Sequence, residues 1–179
     1  MSPRYFKPVA IIILFGLCAS TQADTLTGWV SQVTDGNTIT VQDYANQQHK
    51  VRLMGIDAPE KYQIYGNRAH QTLGALLNGR DVAVEWHTKD RFGRIIGKVL
   101  VTPFDSPCRN QPDCPRTLDA GLAQIKAGQA WWNRSNANEQ TPDDRSRYEQ
   151  AEFDAKVHRN GLWAENNPVP PGMFRRDIK

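Results

Sequence analysis

Arg52, Asp57 and Glu60 carry the chemistry that this sequence offers most plainly. They share one stretch, Val51-Arg52-Leu53-Met54-Gly55-Ile56-Asp57-Ala58-Pro59-Glu60. It begins as a strand with apolar residues on both faces. Arg52 is therefore expected to be buried, and a buried guanidinium is costly unless an anion meets it. Pro59 has a fixed φ and keeps Ala58 extended, so the path between the two carboxylates is stiff. One arginine and two acids on a rigid segment suit a metal ion and a phosphate side by side. Hard cations such as calcium prefer carboxylate and carbonyl oxygens. The planar fork of arginine donates two parallel hydrogen bonds to phosphate. An internal salt bridge at a strand end fits the same residues equally well.

The elements that must position this stretch read as a small barrel. Residues 25–34 and 38–41 are expected to form a hairpin across the turn Asp35-Gly36-Asn37, and residues 49–56 a third strand. Ala69, Leu73, Leu76 and Leu77 stand at helical spacing before the stop Asn78-Gly79, which predicts a helix over about 67–77. Residues 81–86 and 94–101 complete five strands, joined by the turn Lys89-Asp90-Arg91-Phe92-Gly93. Three strands, one helix and two strands is the order of the OB-fold, a five-stranded Greek-key barrel with a helix between strands three and four. Two C-terminal helices are expected after it. One carries Leu118, Leu122 and Ile125 and ends at Gly128; the other carries Tyr148, Ala151 and Ala155, with Gly161 as its C-cap glycine. The polar run 133–144 reads as a mobile loop and the Pro-rich residues 166–179 as a loosely ordered tail. The fold class is mainly β with α, in a single domain over residues 24–165.

Residues 1–23 stand apart from that domain. Arg4 and Lys7 precede an apolar run from Val9 to Leu17, and small residues follow it. This is the pattern of a secretory signal, with cleavage expected after Ala23. The apolar run falls short of the ~20 residues that span a membrane, so stable membrane association after signal removal is not expected. A lipoprotein site at Cys18 fits poorly, because Leu17 stands where a small residue is usual. The whole chain has 22 Lys+Arg and 19 Asp+Glu, net +3. Without the signal the balance is 20 basic to 19 acidic residues, or +1. No global basic field is present, so any polyanion must be held by a local cluster. Cys108 and Cys114 remain, and in an exported chain they read as a disulfide closing a small loop. Zinc is the rival, but no second Cys or His pair stands nearby. The chain is expected to be periplasmic or secreted, and nothing in it points to an oligomer, so a monomer is expected.

Three stretches could converge at one end of such a barrel: Asp35-Gly36-Asn37-Thr38, then Arg52 with Asp57 and Glu60, then Asp90-Arg91-Phe92-Gly93-Arg94. In this order they closely resemble the signature of the thermonuclease, or staphylococcal-nuclease-like, family. The resemblance runs from about residue 30 to residue 163. It implies an OB-fold phosphodiesterase that uses one calcium ion to cut DNA or RNA. By position it implies that Arg52, Glu60 and Arg94 are catalytic. It implies that Asp57 and the backbone carbonyl of Ala58 hold calcium. Asn37 falls where the family usually has a second aspartate ligand. An amide oxygen brings no charge, so weaker metal binding is expected, with Asp35 as a partial substitute.

Other residues carry plainer readings. His49, His70, His87 and His158 show no ligand spacing. Trp86 and Trp163 suit the core, and Trp131 and Trp132 suit either core or the stacking of a base. Arg91 suits either a substrate phosphate or plain solvation on its turn. The alternative to an enzyme is a non-catalytic OB-fold module that binds nucleic acid or protein. Such a module has no need for Glu60.

Overall fold

The computed structural model describes residues 24–177 except 110 and 112, so the expected signal, residues 1–23, lies outside the described residues. Its centre is a closed barrel of five strands: β1 (Asp24–Val33), β2 (Thr38–Asp43), β3 (Gln48–Leu53), β5 (Asp81–Lys89) and β6 (Ile95–Val101). The hydrogen-bonded order is β3-β2-β1-β5-β6, and β3 closes on β6 in parallel, with Val51 opposite Ile95 and Arg52 opposite Ile96. This is the expected OB-fold. Alternation fills the barrel: Val30, Ile39, Val41, Val51, Leu53, Val82, Val84, Val99 and Val101 are all buried. Helix α1 (Gly66–Leu77) packs Ala69, Leu73 and Leu77 into the same core.

The third strand is shorter than expected. It ends at Leu53, and Met54-Gly55 turns the chain, with Gly55 at φ +74°. Ile56–Asp57 then forms a separate short strand, β4. It pairs with β8 (Trp131–Trp132), Ile56 opposite Trp132 and Asp57 opposite Trp131. Between them in sequence lie β7 (Leu118–Asp119), paired with the end of β6, and helix α2 (Ala120–Lys126). Asp119 caps α2 by accepting from the amides of Gly121 and Leu122 at 2.9 and 3.1 Å.

Residues 133–144 are more ordered than their polarity suggested. Arg134–Glu139 forms a 3₁₀ turn, and α3 (Pro142–Val157) starts at once behind it. Thr141 is its N-cap, Pro142 opens it, and Asp143 and Asp144 lie in its first turn, which together define a strong helix start. Helix α3 stops at His158, before the expected Gly161. Arg159, at φ +53°, takes the left-handed position instead. Gly161 opens a short 3₁₀ turn, Gly161–Ala164, lying against Gly128, whose carbonyl accepts from the amide of Leu162 at 2.8 Å. The tail also differs from expectation. Pro171–Asp177 forms a short helix, α4, because its side chains find partners on the barrel. Cys108 and Cys114 are disulfide-bonded with a Cα–Cα distance of 5.4 Å, as expected. No helix among the described residues is long and apolar enough to cross a membrane.

Candidate active site

The β1–β2 turn, the β3–β4 stretch and the β5–β6 turn meet at one end of the barrel. Together with the 3₁₀ turn at Arg134–Glu139 they line an open cavity of about 700 Å³. Asn37, Arg52, Asp57, Ala58, Glu60 and Arg94 all line it, so the residues expected to be catalytic or metal-holding are brought to one place. Asp35, Thr38 and Arg91 line it too.

The β1–β2 turn is held from three sides. Asp35 Oδ1 accepts from the amide of Asn37 at 2.9 Å, and the carbonyl of Asn37 accepts from the amide of Leu53 at 2.8 Å. Buried Gln124 of α2 donates its Nε2 to the carbonyls of Gly36 and Ala69, at 2.8 and 3.0 Å. A side chain at Gly36 would meet the methyls of Ala58 and Ala69 at 2.6 and 2.7 Å, so only glycine lets the turn lie this close to α1. Asp35 is thus committed to shaping the turn. The Asn37 amide donates to the carbonyl of Ile56 at 3.4 Å, which leaves its Oδ1 without a protein donor among the described residues.

Asp57 is fixed through a longer chain of contacts. Glu152 of α3 is buried and accepts from the amide of Trp132 at 3.0 Å, from Arg134 Nη1 at 2.8 Å and from Lys156 Nζ at 2.8 Å. Burial works to raise its pKa, but the two cations and their hydrogen bonds outweigh that and hold it below the ordinary 4.5. Glu152 so pins β8, and β8 carries β4 and Asp57. Trp132 donates its Nε1 to Gln140 at 2.9 Å and is core. Trp131 is half-buried, edge-on to Trp163 at 5.6 Å.

Each arginine has a carboxylate partner. Arg94 donates Nε to Asp90 Oδ2 at 2.8 Å, while Asp90 Oδ1 accepts from the amides of Phe92 and Arg94. Burial raises the Asp90 pKa, but these donors, led by Arg94, bring it below the ordinary value. Both Nη groups of Arg94 are left without a protein acceptor among the described residues. Arg52 is 12% exposed, and the anion that meets it is Glu139, 11% exposed, with Nη2 to Oε1 at 2.5 Å. Asn136 donates to the same oxygen at 2.7 Å, and Glu139 Oε2 is buried with no partner. No sequence signal points to Glu139, since nothing periodic marks residues 133–139.

Arg175 of α4 was also missed. Its Nη1 donates to Glu60 Oε1 at 2.6 Å and to Asp57 Oδ1 at 3.3 Å, and its Nη2 donates to Asp57 Oδ2 at 2.9 Å. The bond to Asp57, and then that to Glu60, push its pKa further up. The sequence cue was slight: Pro171 suits a helix start, but no spacing ties Arg175 to acids 115 and 118 positions away.

The free donors of the cavity fit a hard cation. They are the Ala58 carbonyl, which accepts no hydrogen bond from a described residue, and Asn37 Oδ1, and the Asp57 carboxylate lies with them, its two oxygens paired to Arg175. Thr38 Oγ1 is buried beside them without a partner. All are oxygens, and no group of three or more His, Cys, Asp and Glu placed to hold a metal occurs among the described residues. An oxygen-only set with few charges suits calcium better than a softer metal.

A closed OB barrel whose open mouth is lined by several guanidinium and carboxylate groups has the charge and shape to take up a phosphate ester. Comparison with known proteins gives the family. The family described as "Staphylococcal nuclease homologue" matches residues 50–165. Over its full 179 residues the chain is 29% identical to an "Uncharacterized endonuclease" of Haemophilus influenzae, covering 89% of that protein. It is 31% identical over 175 residues to an "Uncharacterized endonuclease" of Escherichia coli, covering 96% of this chain and 97% of the relative. It is 35% identical over 153 residues to "Micrococcal nuclease" of Shigella flexneri, covering 85% of this chain and 82% of the relative. The chain belongs to the staphylococcal nuclease homologue family, and it is by class a nuclease, a hydrolytic enzyme.

Proposed function

We propose that this chain hydrolyses phosphodiester bonds of DNA or RNA with the help of one calcium ion, held by Asp57, the Ala58 carbonyl and Asn37. The observation that carries the reading is the shared cavity: Arg52, Arg94, Glu60 and Asp57 line one open mouth although they are spread over 43 residues of chain. When bound, the ion supplies positive charge against the phosphate and its developing negative charge.

The chain's own residues do the rest. Glu60 orients a water and takes its proton as the water oxygen bonds to phosphorus. Arg94 offers its two Nη groups to the equatorial oxygens, with Asp90 holding its Nε end still. Arg52, braced by Glu139, meets the same charge from the β3 side. The bond from phosphorus to the leaving oxygen then breaks, and that oxygen takes a proton from solvent water and departs as an alcohol. Single strands are the favoured substrate. The mature charge is only +1, too little to grip a duplex through its backbone, whereas an OB groove tracks one strand. The disulfide is consistent with export to the periplasm or beyond, where a monomeric enzyme free of the membrane would act.

The test is a set of three variants, Glu60→Gln, Arg52→Gln and Arg94→Gln, assayed on single-stranded DNA alongside circular dichroism. Each is expected to lose at least about a hundredfold in kcat with the spectrum unchanged. Full activity in any of them contradicts the role given to that residue.

A further inference from the structure

Arg175 stands where the proposed cation would draw on its ligands. Its guanidinium takes both oxygens of Asp57 and one of Glu60. A carboxylate gripped on both oxygens has little left to give a metal, and a cation placed beside a guanidinium meets like charge. Arg175 comes from a helix of seven residues, far too short to stand by itself in water. It is held down by other contacts. Phe174 forms one wall of a mainly apolar cleft of about 240 Å³ whose other walls include Tyr62, Tyr65, Trp131 and Leu162. Gln63 donates its Nε2 to the carbonyl of Val169 while its Oε1 accepts from the amide of Glu60. The segment that bears Arg175 is thus tied both to the loop that bears Glu60 and, through Trp131, to the strand that pairs with Asp57.

From this geometry we propose that residues 167–177 form a strap whose Arg175 competes with the cation for Asp57 and Glu60, and so sets the metal affinity of the site. The strap holds the carboxylates paired when no cation is bound and lifts away when one binds. Arg175 is 48% exposed, so its ion pairs are weak enough to be broken by a divalent ion. The inference rests on Asp57 being a cation ligand. It adds that the affinity of the site is set from outside the barrel as well as by Asn37. The arithmetic is simple: a strap docked nine-tenths of the time weakens apparent cation affinity about tenfold.

Two substitutions in the full chain separate the parts. Arg175→Ala removes the competing charge, and Phe174→Ala loosens the strap without touching any charge. Calcium titrations by isothermal calorimetry on both variants and the parent chain give the result. The expected outcome is a Kd about tenfold lower in Arg175→Ala and a smaller change in the same direction in Phe174→Ala. Equal Kd values in all three proteins overturn the strap and leave the metal site standing. A higher Kd in Arg175→Ala also overturns it, because Arg175 would then be helping to build the site. No calcium binding in any of the three overturns the strap together with the reading of Asp57 as a ligand.

Discussion

Glu139→Ala should destabilise this protein and do so by leaving Arg52 unpaired. Breaking a buried ion pair by removing one partner costs about 3–5 kcal/mol. Here Arg52 is 12% exposed and borders an open cavity, so water reaches part of the guanidinium. Glu139 also keeps one buried oxygen without a donor, which makes the native pair imperfect. Both facts bring the loss to the bottom of that range or just below it, about 2–3 kcal/mol. For a domain of this size that is a fall in Tm of roughly 5–10 °C. Removing both charges, Arg52→Met with Glu139→Leu, should restore most of the loss, because no uncompensated charge remains. The same double variant should have no nuclease activity. Thermal unfolding followed by far-ultraviolet circular dichroism at neutral pH measures all three proteins. A single variant with unchanged Tm, or a double variant as unstable as the single, refutes the reasoning.

Two other predictions follow from the site and its supports. Asn37→Asp adds a charged oxygen at the proposed ion and should lower the calcium Kd by about tenfold or more in a calorimetric titration; an unchanged Kd means Asn37 is not a ligand. Glu152 has a folded pKa below its ordinary 4.5, so its contribution to stability is complete above that value and is lost as pH falls through the folded pKa. Glu152→Gln should therefore lower Tm at neutral pH and flatten its decline as the pH falls below about 4.5. Asp119, raised by burial, acts in the opposite sense in part of that window, but it is common to both proteins and cancels in the difference. Parallel Tm–pH curves contradict the role of Glu152.

The barrel was legible because each of its strands carries its own alternation and its turns carry their own Gly, Asn and Asp. Helix α1 was legible for the same reason, its apolar residues repeating at every turn. The stretch from Arg52 to Glu60 was legible through Arg52, an oddity on an apolar strand. What escaped lies in long-range pairing between segments with no pattern of their own. Trp131 and Trp132 read as core or stacking residues, yet their backbone forms the strand that holds Asp57. Glu139 reaches Arg52 across 87 positions from a polar run that looked like a loop. The tail looked loose because Pro-rich segments usually are, and only its docking against Gln63, Trp131 and the two carboxylates makes it a helix.

The proposed role of the cavity is to cleave phosphodiesters with a cation held at Asp57. The direct measurement is the rate of cleavage of a single-stranded DNA by the mature protein, with calcium, with a chelator, and with Asp57→Asn in calcium. The account predicts rapid cleavage in the first and a loss of at least about a hundredfold in the other two. Cleavage at the same rate with chelator, or with Asp57→Asn, contradicts it.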